Sequence, residues 1–314
     1  MTFEEFIEEW RNDKDYIIVH TSGSTGDPKE IKLPKNFVRE SAERTNGFFG
    51  LTRDSHFHSC VSPDFIGGKM MAVRSEMVKG KLTWENPSNQ SLKDLSKDDK
   101  IDLVAVVPSQ MHFILDNKDI LPAIQNIIIG GSSIHPDLRS KIAASGLNAY
   151  ETYGMTETSS HIALRKISSD IVPFHTLPGI SVKTDEDNCL VINFDSGEEF
   201  ITNDIAEIVS DTEFYILGRK DDVIISGGKK LHPSEIESIL AEIIHQPFLI
   251  SGIPDEKWGQ KIILRIEGKE DPELNKDIEI LLKQKVESWK RPKEIIYVEK
   301  LPLTPNGKII RKKL

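Results

Sequence analysis

Cysteine is nearly absent from this 314-residue chain, which holds only Cys60 and Cys189. Two unpatterned cysteines exclude a disulfide framework and a CxxC metal motif, so a reducing compartment and two buried thiols are expected. Long apolar runs are missing as well: nothing approaches the roughly 20 residues that a membrane-spanning helix needs. The opening MTFEEFIEEWRND is acidic and has no apolar core, so no signal peptide is expected there. Cationic excess is the third absence. Forty Lys and Arg against fifty Asp and Glu leave a formal charge of −10 and a pI near 5.5. That balance repels nucleic-acid phosphates and anionic membranes, and excludes both as general partners. The expectation is a soluble, cytoplasmic, globular chain, large enough for one big domain and a smaller one.

What is present is layered. Phe3, Phe6, Ile7 and Trp10 recur at helical spacing behind a Thr2/Glu5 capping box, which predicts an N-terminal helix with one packed face. From Tyr16, apolar runs alternate with helical patterns: HFHSCVS then GGKMMAVRSEMVKG, IDLVAVV then PSQMHFILD, NIIIGG then HPDLRSKIAASG and NAYETYG. Alternation of this kind predicts an α/β domain on a largely parallel sheet, with ligands collecting where strands end. After about Leu164 the texture becomes short strands and turns, as in DEDNCLVINFDSGEEF and IAEIVSDTEFYILG. A second unit with helices in HPSEIESILAEII and DPELNKDIEILLKQKVESW follows, and GRKDD (Gly218 to Asp222) is the expected boundary between domains 1–219 and 220–314.

Several stretches carry chemistry. TSGSTGDPK combines hydroxyls (Thr21, Ser22, Ser24, Thr25), glycines (Gly23, Gly26) and Lys29. Glycine admits a phosphate close to backbone N–H groups, hydroxyls donate to its oxygens, and lysine neutralises charge. It is not a Walker A loop, because GxxxxGK[ST] counted from Gly23 meets Pro28 where glycine is required. A plain Gly/Ser hairpin is the structural alternative. YETYGMTETSSH offers Tyr153 for stacking an adenine, Gly154, a Thr156 hydroxyl for a phosphate and a Glu157 carboxylate for Mg²⁺, against the alternative of a core tyrosine and a capped turn. IIIGGSS sets Gly130 and Gly131 after a strand, where a flat ring can lie on bare backbone, although strand-to-helix turns use the same residues. Asp204 in ITNDIAEI and Arg219 in GRKDD suit ribose hydroxyls and phosphate charge, while a lone aspartate in a turn is also an ordinary cap. The closing LPLTPNGKIIRKKL puts Lys308 on a Gly-punctuated bend ahead of Arg311, where a solvated cationic tail is the bland reading.

In this order TSGSTGDPK, YGMTE, GRKDDVIISGGKKLHPSEIE and PNGKIIRKKL resemble the adenylate-forming superfamily of acyl-CoA synthetases, adenylation domains and luciferases, from Thr21 to the end of the chain. The resemblance implies a large N-terminal α/β domain with a β-rich subdomain and a small C-terminal α+β lid joined by a hinge at Asp221. It implies that the Thr21–Lys29 loop embraces ATP phosphates, Tyr153 stacks adenine, Thr156 meets phosphate, Glu157 ligates Mg²⁺, Asp204 and Arg219 hold ribose, and Lys308 bridges carboxylate and α-phosphate. ATP, Mg²⁺ and CoA follow as cofactor and co-substrates, with Gly228 and Lys229 on the CoA side. The chain departs from the family in two places. Only a helix and a strand precede the phosphate loop, so part of the acyl-pocket wall is expected to be absent or supplied by another subunit of a homo-oligomer or by a simpler architecture. Asn203 also stands where the family has glycine. YGMTETSSHIALRKI is most similar to the o-succinylbenzoate-CoA ligases of menaquinone biosynthesis. A dianionic aromatic acid needs a cation and donors, for which Arg74, Ser109, Ser160 and His161 are candidates. The alternatives are an aryl or medium-chain acyl-CoA synthetase, a carrier-protein adenylation enzyme, or a silent nucleotide-binding module.

Overall fold

In the computed structural model the described residues are 1–20, 29–96, 98–302 and 311. Contacts divide the chain into two compact units, Met1–Ile134 with Leu138–Ile180 and His135–Asp137 with Ser181–Leu314.

The first unit opens with α1 (Phe3–Arg11), started by the expected capping box: Glu5 N–H donates to the Thr2 hydroxyl, and Thr2 N–H to the Glu5 carboxylate. Then come β1 (Tyr16–His20), β2 (Glu30–Pro34), α2 (Lys35–Phe49), β3 (His56–Ser59), α3 (Ile66–Val78), β4 (Lys81–Trp84), β5 (Leu103–Val106), α4 (Met111–Asp116), β6 (Ile127–Ile129), α5 (Pro136–Ala144), β7 (Ala149–Met155), β8 (Ser160–Lys166) and β9 (Phe174–Thr176). β1 and β2 pair antiparallel from Tyr16↔Pro34 to His20↔Glu30, as neighbouring strands along the chain. The main sheet runs β9-β8-β7-β6-β5-β3-β4. Its β4-β3-β5-β6-β7 stretch is parallel, as the strand and helix alternation predicted, and β7-β8-β9 turn back antiparallel. β5 and β6 are buried at every residue because helices cover both faces. On one side Val104, Val106, Ile127 and Ile129 pack with Met111, Ile114, Leu138 and Ile142; a second core gathers Phe3, Phe6 and Trp10 with Val38, Met70 and Val73.

The second unit carries β10 (Ile180–Thr184), β11 (Cys189–Phe194), β12 (Glu199–Ser210) and β13 (Glu213–Arg219), neighbours in that order. It continues with β14 (Ile224–Ser226), β15 (Lys229–Leu231), α6 (Pro233–Leu240), β16 (Phe248–Asp255), β17 (Gly259–Glu267), α7 (Pro272–Lys285) and β18 (Glu294–Val298). The last group forms a five-stranded sheet in which β18 joins β17 in parallel. Its core is Ile224, Leu231, Ile236, Leu240, Ile250, Ile262, Leu264, Ile278 and Leu282. Gly218 to Asp222 lies inside this unit, between its two sheets along the chain. Cys60 and Cys189 are both free and buried, and no helix among the described residues is long and apolar enough to cross a membrane.

Candidate active site

β7 does not end at its aromatic and glycine. It continues through Tyr153 and Gly154 to Met155, because β8 returns antiparallel with Met155 opposite Ser160 and a bulge between Tyr153 and Gly154. A Cβ on Gly154 would collide with the Ser160 carbonyl, so only glycine allows this approach. The turn between the strands is strained: Ser159 and Ser160 take φ of 55° and 88°, a conformation that costs about 1–3 kcal/mol per residue. It is held by polar pins. Met155 N–H donates to the Thr158 hydroxyl at 2.9 Å, Ser159 N–H to the Thr156 carbonyl at 3.1 Å, and the Ser41 hydroxyl of α2 to the Ser159 carbonyl at 2.8 Å. Thr156 and Glu157 sit half-buried on the turn, and Glu157 has neither ion pair nor hydrogen bond among the described residues. A free carboxylate beside a hydroxyl is the hard-oxygen donor set that Mg²⁺ takes.

Tyr153 lies at the base of the turn with its ring 5.7 Å from Phe174, and the Arg165 guanidinium lies 4.2 Å from the Phe174 ring. Gly130 and Gly131 follow β6; a Cβ on Gly130 would come within 2.6 Å of Thr152 Oγ1, and Gly131 has φ +96°. Close approach to β7 thus requires the first glycine, and left-handed backbone favours the second.

The Arg74, Ser160 and His161 candidates come together. Arg74, on α3, is 1% exposed rather than on a solvated helix face. Its Nη2 lies 3.5 Å from both Ser160 Oγ and His161 Nδ1, its Nη1 is 3.8 Å from Met71 Sδ, and its Nε has no partner. No carboxylate among the described residues pairs with it, and burial pushes its pKa down to about 9. Burial, and then the charge of Arg74, hold His161 well below the usual histidine range, so the ring is neutral. Its tautomer follows from its neighbours. The Thr45 hydroxyl donates to the Ser41 carbonyl at 3.2 Å and therefore accepts from His161 Nε2–H at 3.0 Å, leaving Nδ1 to accept from Arg74. Ser41 and Thr45 did not enter the sequence reading, yet they interrupt the buried stripe Phe37, Val38, Ala42 of α2 as an i,i+4 hydroxyl pair, a signal that was there to be read. Ser109, on the 3₁₀ turn Pro108–Gln110, is exposed and makes no hydrogen bond to this cluster.

In the second unit, Asp204 of β12 stands directly opposite Arg219 of β13, and Arg219 Nη1 donates to Asp204 Oδ1 at 3.0 Å. Arg219 Nη2 reaches Asp221 Oδ2 at 3.4 Å, and the Asn203 amide reaches the same oxygen at 3.5 Å. Gly227 and Gly228 form the two-residue turn between β14 and β15 with φ of +58° and +76°, the pair of left-handed residues such hairpins require. Lys229 Nζ lies 4.8 Å over the Trp289 ring. Arg311 is no solvated tail residue. Its guanidinium makes a two-pronged bond to Glu237 at 2.7 Å on each prong, donates to the Ile250 carbonyl at 3.0 Å, and pairs with Asp222 at 3.2 Å. The bland reading of the cationic tail fails at this residue, because the carboxylates of Glu237 on α6 and Asp222 on the 3₁₀ turn Lys220–Asp222 hold it.

Lys29 is exposed just ahead of β2. Thr21, Ser22, Gly23, Ser24, Thr25, Gly26 and Lys308 lie outside the described residues.

Two family models match successive parts of the chain. Residues 4–214 match the family model for AMP-binding enzyme, and residues 235–308 the model for AMP-binding enzyme C-terminal domain. A 2-succinylbenzoate–CoA ligase of Lactococcus lactis is 26% identical over 96% of this chain and 71% of its own length; one from Listeria monocytogenes is 27% identical over 99% and 72%. Among solved structures, an acyl-CoA synthetase (AMP-forming)/AMP-acid ligase II-like protein of Dyadobacter fermentans is 31% identical, with a TM-score of 0.65, over 98% of this chain and 91% of that one. That protein is therefore close to this chain in extent. The o-succinylbenzoate CoA synthetase of Bacillus subtilis, solved with an acyl-adenylate, matches in fold with a TM-score of 0.82 at 19% identity, over 94% of this chain and 68% of its own.

Proposed function

The chain belongs to the AMP-binding enzyme family, and from that premise we propose that it is an AMP-forming acid–thiol ligase that activates o-succinylbenzoate with ATP and transfers it to CoA in menaquinone biosynthesis. The observation that carries the substrate is Arg74, a buried guanidinium with no carboxylate beside it among the described residues. An unpaired buried charge is costly, and a ligand carboxylate with two oxygens for the guanidinium fork relieves it. A simple acyl or aryl acid spends its one carboxylate on activation. A diacid has a second for Arg74, with Ser160 beside it and neutral His161 holding the guanidinium in place.

In the first half-reaction a substrate carboxylate oxygen attacks the α-phosphorus, the bond to the bridging oxygen breaks, and pyrophosphate leaves with its electron pair. Lys308 offsets the repulsion between the anionic nucleophile and the polyanion, and the Thr21–Lys29 donors hold the leaving phosphates. Mg²⁺, held at Glu157 beside Thr156, supplies charge neutralisation there when bound. Tyr153 with Gly130, Gly131 and Gly154 forms the adenine face, and Asp204 with Arg219 binds the ribose. In the second half-reaction the CoA sulfur attacks the acyl carbonyl and AMP departs, with Gly228 and Lys229 on the thiol's side. Asp221 is the hinge between residues 1–219 and 220–314, and Arg311, tied to Glu237 and to Asp222 beside that hinge, positions Lys308. The enzyme works in the cytoplasm.

The test is pyrophosphate release from ATP and Mg²⁺ with a panel of carboxylic acids, with and without CoA. Selective release with o-succinylbenzoate, lost when its second carboxylate is esterified, is expected. Equal turnover of simple benzoates or medium-chain acids would overturn the substrate, and no release with any acid would overturn the ligase.

A further inference from the structure

One cluster in the first unit takes no part in that chemistry. His58 ends β3 with Ser59, Cys60 follows, and Glu85 comes directly after β4. The parallel register sets His58 opposite Thr83 and Ser59 opposite Trp84, and Glu85 N–H extends the ladder to the Ser59 carbonyl at 3.2 Å. One ring nitrogen of His58, the Cys60 sulfur and a Glu85 oxygen all lie within 4.8 Å of one another. His58 Nε2 is enclosed, has no hydrogen-bond partner, and lies 3.8 Å from Glu85 Oε2.

The protons around this cluster can be assigned. The Lys100 carbonyl, 2.9 Å from His56 Nδ1, can only accept, so that nitrogen carries hydrogen. With that ring singly protonated at Nδ1, its Nε2 is a lone pair that takes the Thr83 hydroxyl proton at 2.7 Å. Thr83 Oγ1 then has only lone pairs for His58 Nδ1 at 2.8 Å, which must be the N–H of that ring. Nε2 is then the ring nitrogen turned toward the Glu85 carboxylate and the Cys60 thiol, so three ligand-capable atoms converge. Glu85 is held there by the Leu92 N–H, 3.1 Å from both its oxygens, and Cys60 is fully buried.

We propose that His58, Cys60 and Glu85 form a binding site for a divalent transition cation of the zinc type, a structural staple between β3 and the edge strand β4. The donor chemistry selects the ion: nitrogen, thiolate and carboxylate suit Zn²⁺, whereas Mg²⁺ avoids sulfur. The charges also close. A thiolate and a carboxylate balance a dication around a neutral imidazole, so the half-buried site is electroneutral. Binding exchanges the Cys60 S–H bond for a sulfur–metal bond and releases the proton to solvent. The His58 Nδ1–H to Thr83 bond is the outer support that histidine ligands use to fix tautomer and ring orientation.

The test titrates Zn²⁺, and Co²⁺ as its spectroscopic stand-in, into the full chain after dialysis against chelator. One ion per chain, with a thiolate-to-cobalt charge-transfer band and a higher melting temperature with Zn²⁺, is expected. Cys60→Ser and Glu85→Gln should abolish stoichiometric uptake, and Cys189→Ser should leave it unchanged. Thr83→Val keeps all three ligands and should weaken affinity about ten- to a hundredfold, which carries the test should the Cys60 variant misfold. No uptake by the folded chain, uptake without the charge-transfer band, or equal uptake by the Glu85→Gln and Thr83→Val variants overturns the site.

Discussion

Replacing Arg74 by methionine should stabilise the free protein and cripple it as an enzyme. The guanidinium is 1% exposed, its nearest hydrogen-bonding partners are 3.5 Å away, Nε is bare, and no acid offsets its charge. A guanidinium whose pKa burial pushes down to about 9 carries a penalty of at most about 5 kcal/mol. The sign is clear: the folded state disfavours the charged form, so this cost is present in full below pH 9 and is relieved only above it. Methionine fills similar volume without charge, and such replacements of buried ions gain about 1–4 kcal/mol. On the substrate side, removing a buried charge partner of a carboxylate costs about 2–5 kcal/mol, so kcat/KM for o-succinylbenzoate should fall by roughly 30-fold to several thousand-fold. The loss should appear mainly in KM, because the second carboxylate is bound equally before and during adenylation. The assays are urea unfolding without substrate and steady-state pyrophosphate release at pH 7.5. A variant that loses stability while its KM stays within twofold of the parent would refute the reasoning, since Arg74 would then be a packing residue with its charge satisfied elsewhere.

Lys308→Ala should largely abolish acid-dependent ATP/pyrophosphate exchange while sparing thioester formation from supplied acyl-adenylate; equal loss in both halves removes its bridging role. Arg311→Gln should show the same split in weaker form, with the second unit destabilised by about 1–3 kcal/mol because the part-buried Glu237 loses its charged partner; unchanged exchange would limit Arg311 to holding the fold. Gly154→Ala drives a Cβ into the Ser160 carbonyl and to 2.5 Å from His161 Cα, and should cost about 1–3 kcal/mol in urea unfolding, along with adenylation, because the turn carrying Glu157 must move. Folding lowers the His161 pKa, so the unfolded chain takes up this proton first: stability should fall as pH drops below about 6.5, at up to about 1.4 kcal/mol per pH unit from this residue. The slope should shrink in His161→Gln and KM should stay flat from pH 6.5 to 8; a KM that follows a titration near neutrality would show that His161 is charged in the site.

Much of this was legible along the chain. The Thr2/Glu5 box started α1 where expected, and the apolar runs from HFHSCVS to NAYETYG became the parallel strands β3, β5, β6 and β7, because period and capping are local properties. The resemblance sets Asp204 and Arg219 together at one ligand, and the hairpin register puts the two residues face to face. Gly154 was legible as a residue but not in its cause, which is the approach of β8 behind it. The continuation of β7 past Tyr153 was hidden for the same reason, since a strand's end depends on its partner's reach.

The sequence by itself determined the chemistry on offer: which loop can meet phosphate, which carboxylate can hold a hard cation, which lysine closes the chain, and in what order. Only the tertiary structure decided which charges are left unpaid. Arg74 belongs to α3, His161 to β8, Thr45 to α2 and Glu237 to α6, and whether a guanidinium finds a carboxylate or a vacancy meant for a substrate depends on which of these elements fold against one another. Arg74 and Arg311 look alike in the sequence. Burial with no acid beside it among the described residues leaves the first open to an anion, and Glu237 and Asp222 on either side hold the second.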